Sequence, residues 1–126
     1  MLLVICFSTY IYADTTWTTG AYNNNEDVSQ ELNLTGANSL IVTVVGEVER
    51  NYDFIYIYDN TGNRIKRLHG VINEEFPVNG SGITARLVSD FSINRSGVTV
   101  TIVDANTSAQ DTQKPVITLN GNSTVT

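Results

Sequence analysis

Apolar and polar positions alternate with a period of two along much of this chain. Ile83, Ala85 and Leu87 are interleaved with Thr84, Arg86 and Val88, and Val98, Val100 and Ile102 with Thr99 and Thr101. A strand with one buried and one polar face is the signature of an antiparallel sheet. The pattern predicts strands over Val28–Leu34, Leu40–Val45, Phe54–Tyr58, Arg64–His69, Glu75–Val78, Gly82–Val88 and Val98–Val103. Turn-forming runs separate them: Gly36-Ala37-Asn38, Asn60-Thr61-Gly62, Asn79-Gly80-Ser81-Gly82 and Asn94-Arg95-Ser96-Gly97. No window carries a helical period. Short, regularly spaced strands without helices predict an all-β fold, an antiparallel β-sandwich.

The two ends of the chain differ from this middle. Residues 1–13 read as a secretory signal peptide, with the apolar run Leu2-Leu3-Val4-Ile5-Cys6-Phe7 closing on Ala13. No basic stretch precedes that run, which implies a truncated start; the alternative is a buried first strand. Residues 14–105 form the sandwich, and residues 106–113 are small and polar, a linker by composition. Residues 114–126 begin another strand that stops before it finds partners, so they are read as the opening of a further β domain.

Charge narrows the partners. The formal net charge is −6, without the clustered Lys and Arg that nucleic acid or an anionic membrane requires. Cys6 is the single cysteine, so a mature chain that starts after Ala13 has no internal disulfide. Packing or a metal ion must hold such a sandwich together. A secreted or cell-surface protein, without membrane insertion of the mature domain, is the expectation.

One stretch carries unusual chemistry. Glu47, Glu49 and Asp53 crowd a short loop whose only nearby cation is Arg50, directly before the apolar strand Phe54-Ile55-Tyr56-Ile57-Tyr58. Carboxylates this close repel unless they are solvated or gathered around a cation. Asp27, Asp59 and Asp104 stand at strand ends and read as turn caps. Catalytic sets are hard to assemble. His69 is the only histidine, and neither a Ser-His-Asp triad nor a zinc site forms around it. Glu74 and Glu75 are adjacent on a strand and point to opposite faces, which excludes a glycosidase pair. Tyr56 and Tyr58 share a strand face with Phe54; if Ile55 and Ile57 face the core, the rings line an outer surface suited to sugars or proteins. If the aromatic face is the core, nothing functional follows. The strand is apolar on both faces, which predicts a central, covered position. Trp17 is expected to pack over a sandwich edge.

Three segments occur in the order found in CUB domains: Ala21-Tyr22-Asn23-Asn24-Asn25-Glu26-Asp27, then Glu49 through Tyr52-Asp53 to Tyr58-Asp59, then Val88-Ser89-Asp90 through Ser96-Gly97. The resemblance spans Thr19 to Ala105. It implies an extracellular, jelly-roll-like β-sandwich, and it implies a calcium site at one end. Carried over by position, the ligands are Glu49 or Glu47, Asp53 and Asp90, with Ser92 or backbone oxygens beside them. The cysteines usual in the family are absent, so the chain most resembles the disulfide-free CUB-like module of secreted bacterial proteins. Lys114-Pro115-Val116-Ile117-Thr118-Leu119-Asn120-Gly121 resembles the start of an immunoglobulin-like repeat. The resemblance thus implies a non-catalytic, calcium-binding adhesion or accessory module of a larger extracellular protein, recognising protein or glycan. The alternative is a carbohydrate-binding accessory module of a secreted hydrolase, with Tyr56, Tyr58 or Trp17 as its platform.

Overall fold

A computed structural model describes residues 15–106; the expected signal peptide, the linker beyond Asn106 and the immunoglobulin-like start lie outside these residues. Eight strands follow in order: β1 (Thr16–Thr18), β2 (Asp27–Asn33), β3 (Ser39–Glu47), β4 (Phe54–Asp59), β5 (Arg64–Leu68), β6 (Val71–Asn79), β7 (Gly82–Val88) and β8 (Gly97–Asp104). They form two four-stranded antiparallel sheets, β1-β8-β3-β6 and β2-β7-β4-β5.

The alternation in the sequence becomes the core. Leu40, Val42 and Val44 of β3, Val98, Val100 and Ile102 of β8, and Ile72, Phe76 and Val78 of β6 point inward from one sheet. Leu32, Ile55, Ile57, Ile83, Ala85 and Leu87 meet them from the other. Burying each larger aliphatic side chain stabilises the fold by about 1.5–3 kcal/mol. Ile55 and Ile57 are fully buried, so the aliphatic face of β4 is its core face. β4 does lie inside its sheet, between β7 and β5, as its apolar sequence suggests.

Two strands depart from the expected ranges. β1 pairs only with β8, through Thr16–Thr101, Trp17–Val100 and Thr18–Thr99, and is too short for alternation to reveal. Trp17 packs against the core from this edge. β6 runs four residues earlier than its pattern suggests, because Asn73, Glu74 and Glu75 are exposed along a sheet edge. Glu74 occupies the inward parity of that strand yet stays exposed, and Pro77 removes a donor. Both features blunt an open edge against pairing with another chain.

The loops collect at two poles. At one pole lie the β1–β2, β3–β4 and β7–β8 connections. At the other, the Thr15 carbonyl accepts a hydrogen bond from the Ile102 amide at 2.9 Å, so both ends of the described chain leave there. Gly46 and Gly97 set the first pole. Gly46 has φ +145°, and a Cβ there would run into the Gly97 carbonyl oxygen and the Val98 Cα; Gly97 has φ +87° and abuts the Gly20 carbonyl and the Thr19 hydroxyl.

Asp59 caps the β4–β5 turn, its Oδ1 accepting from the Thr61 and Asn63 amides, each at 2.9 Å. Asp104 Oδ1 similarly accepts from the Asn106 amide at 2.9 Å. Asp27 differs from its expected turn role: it sits in β2 and takes two hydrogen bonds from Arg86, at 2.8 and 2.7 Å. Those bonds hold the Asp27 carboxyl below the ordinary carboxylate range. A lowered folded-state pKa stabilises above the unfolded value of about 3.9, and the gain is lost as pH falls through the folded value. The difference in melting temperature between wild type and Asp27→Asn should therefore stay constant from about pH 7 to pH 5 and narrow below about pH 4.

Candidate metal centre

The first pole is built around Asp53. The β3–β4 loop turns back on itself, the Asp53 and Tyr52 amides donating to the Glu49 carbonyl at 3.0 and 3.4 Å. Asn51 at the tip takes φ +73°, a conformation that Asn tolerates. Its amide donates to His69 Nδ1 at 3.1 Å, so the histidine braces the loop from the end of β5. The Asp53 side chain is fully buried. Its Oδ2 accepts from the Tyr22 hydroxyl at 2.6 Å and its Oδ1 from the Asp90 amide at 2.9 Å. The Glu49 amide donates to the Tyr22 oxygen at 3.2 Å, so one hydroxyl ties the β1–β2 loop to the β3–β4 loop, and Asp53 carries the link on to the β7–β8 loop. Burial, and then the bond to Asp53, push the Tyr22 phenol up to about 12.

Ser89 fastens the neighbouring loop. Its hydroxyl donates to the Asn23 carbonyl at 2.7 Å and accepts from the Glu26 amide at 2.8 Å. The Asn25 amide then reaches the Asp90 carbonyl at 2.7 Å. Sequence reasoning gives Tyr22 and Ser89 no role of their own, although both lie in segments that carry the resemblance. The available signal was a lone aromatic in a polar run, Ala21-Tyr22-Asn23, and the Ser-Asp step itself.

This scaffold brings Glu49, Asp53 and Asp90 together: one carboxylate oxygen from each lies within 4.8 Å of the other two. Glu49 is half-buried, and its Oε1 is shut off from solvent without a hydrogen-bond partner. Desolvation raises the Glu49 carboxyl above its ordinary value; the charges of Asp90 and Asp53 add to this, and Arg95 opposes it. Asp90 Oδ1 accepts from the Ser92 amide at 3.2 Å, which brings Ser92 to the rim. Glu47 stands apart from the trio, its carboxylate 3.8 Å from Arg95 in a half-exposed pair. Three hard oxygen donors with an unsatisfied buried oxygen fit a cation of the calcium type, and such a group could hold a metal ion.

Exposed apolar residues flank the acids in sequence. Tyr52, Phe91 and Ile93, in the two loops that carry the acids, are 60%, 74% and 51% exposed. Ile93 also has φ +61°, unusual for a β-branched residue.

The other candidates lie elsewhere. Tyr56 and Tyr58 are far along β4, half-exposed on the outer face of the β2-β7-β4-β5 sheet with Phe54. Arginines rather than a further layer lie over two of these rings: Arg67 is 3.9 Å from the Phe54 ring centroid and Arg64 5.6 Å from that of Tyr56. His69 meets Phe54 edge-on at 5.5 Å.

Two antiparallel four-stranded sheets, with the loops of one pole tied to a buried aspartate, define a CUB-like β-sandwich. Among solved structures the chain is similar to the CUB1-EGF-CUB2 domain of human MASP-1/3, with a TM-score of 0.58 and 13% sequence identity. That match covers 75% of this chain and 43% of the other. No protein-family model matches the sequence. No curated protein matches it either. Among the described residues, no helix is long and apolar enough to cross a membrane.

Proposed function

We propose that this chain is a non-catalytic, secreted or cell-surface interaction module, stabilised by calcium and working as part of a larger extracellular protein. Glu49, Asp53 and Asp90 are the ligands, with Ser92 and backbone oxygens at the rim, and Glu47 stays outside. The observation that carries the reading is the buried, unpartnered Oε1 of Glu49 beside two further carboxylates. Burying such an oxygen unpaired is costly, and a bound cation would remove both that cost and the repulsion. Calcium would supply charge neutralisation and a bridge between the β3–β4 and β7–β8 loops, which no disulfide joins. Tyr22 and the Asp90 amide orient Asp53 whether or not the ion is bound. Exposed Tyr52, Phe91 and Ile93 then offer a partner protein or glycan an apolar rim around the ion.

Thermal melts with calcium and with chelator test this. An ion that binds only the folded state, present at about ten times its Kd, adds about 1.4 kcal/mol, which raises the melting temperature by roughly 6–11 °C. Identical melts in millimolar calcium and in chelator would remove the metal.

A second reading, a carbohydrate-binding accessory module of a secreted hydrolase, has one observation in its favour. Phe54, Tyr56 and Tyr58 face outward rather than into the core.

A further inference from the structure

The outer face of the β2-β7-β4-β5 sheet carries three of the chain's arginines, Arg64, Arg67 and Arg86, with Asp27 and Glu31 on its β2 edge. Tyr56 is flanked across the sheet by Arg86 of β7 and Arg67 of β5, and Tyr58 by Thr84 and Arg64. Phe54, Tyr56 and Tyr58 form a row with ring centroids 6.0 and 6.3 Å apart, as expected for alternate residues of one strand. Arg86 is occupied by Asp27. Among the described residues Arg64 and Arg67 have no carboxylate partner, though the chain carries 13 acidic residues against 7 lysines and arginines. A guanidinium resting on an aromatic ring keeps its N–H donors available and loses little freedom on binding.

Where the row ends, Tyr58 becomes one wall of a cleft of about 400 Å³. Its other walls include Glu31, Asn33, Asp59, Asn60 and Thr84; the two carboxylates accept from sugar hydroxyls, and the amides and the threonine exchange hydrogen bonds with them. Two chemistries thus meet on one surface: planar cations that pair with carboxylates, and a polar, tyrosine-walled cleft suited to a hydroxylated ring. An acidic peptide would satisfy the first and leave the second unused. A neutral glycan would satisfy the second and find the ring faces at Phe54 and Tyr56 occupied by arginine.

We infer that this face binds a polyuronate, a polysaccharide whose sugar rings carry carboxylates. Arg64 and Arg67 pair with the uronate groups. The cleft at Tyr58, whose Glu31 and Asp59 would repel a carboxylate, takes only the hydroxyl edge of an adjoining ring whose carboxylate turns toward Arg64. The inference rests on the glycan-binding reading and does not call on calcium: the row starts at Phe54, beside Asp53, but Arg64, Tyr58 and the cleft lie at the far end of β4.

Calorimetric titration of the full chain with oligogalacturonate, in chelator, tests it. Binding is expected, weakening as salt rises. Arg64→Gln/Arg67→Gln should weaken it about 100-fold, the loss of two charge-assisted contacts, while the protein stays folded and its melting temperature falls only by the several degrees that two lost ring contacts explain. Tyr58→Ala should weaken it less. The inference is overturned if the double arginine variant binds as wild type does, if polyglutamate binds equally well, or if wild type does not bind oligogalacturonate at all. Binding of a neutral cello-oligosaccharide in its place would overturn the polyuronate and leave a carbohydrate-binding module standing. A calcium-dependent melt without uronate binding would leave the metal reading intact.

Discussion

Replacing Asp53 by alanine is expected to lower the melting temperature by roughly 15–30 °C and to abolish any response to calcium. The carboxylate accepts from the Tyr22 hydroxyl and the Asp90 amide in a fully buried setting. Deleting it orphans both donors, at about 1–3 kcal/mol each, or about 4 kcal/mol together. Each kcal/mol corresponds to roughly 4–8 °C in a domain of this size. Asp90→Asn separates folding from ion binding. The Asp90 side chain is half-buried and accepts only the Ser92 amide, so its replacement should barely move the melt in chelator while removing the calcium shift. Equal, large losses in chelator for both variants would mean that the trio is simply a hydrogen-bonded structural knot.

Gly46→Ala should be comparably severe, for a reason with no charge in it. The added methyl would meet the Gly97 carbonyl and the Val98 backbone, neither of which can swing aside as a side chain tip would. Overpacking and an unfavourable φ together cost on the order of 4 kcal/mol. Gly62→Ala, where a Cβ meets nothing within 4 Å, shares the positive φ and isolates the strain from the collision. Urea denaturation should rank wild type, then Gly62→Ala, then Gly46→Ala. Equal stability of the two variants would place the whole effect in φ.

The sequence revealed the fold wherever a strand has one dry face. β7 and β8 alternate cleanly because each lies inside its sheet, with core residues on a single side. Edge strands were harder to read. β1 is held by three residue pairs, and the early part of β6 tolerates Asn73, Glu74 and Glu75 because one flank meets water. For β4, whose two faces are both apolar, periodicity could not say which is the core. Tertiary packing decided it: Ile55 and Ile57 fill the interior, while Phe54 and Tyr56 lie beneath arginines from β5. Crowding in the β3–β4 loop pointed to the acidic pole, but the contribution of Asp90, 37 residues from Asp53, came through family resemblance. Tyr22 lies in a segment that carries the resemblance, but its role exists only once the β1–β2 and β3–β4 loops meet at its hydroxyl.

The neighbouring placement of Thr15 and Ile102 has a mechanical consequence. Tension applied through the two ends of the described chain would load β1 against β8 from one side, rupturing their bonds one after another, not all at once in shear. With only three residue pairs to resist, β1 would peel first, while the carboxylate trio and the sheets around it stay closed. A tethered copy would therefore lengthen slightly under modest pull and still keep its acidic tip in working order.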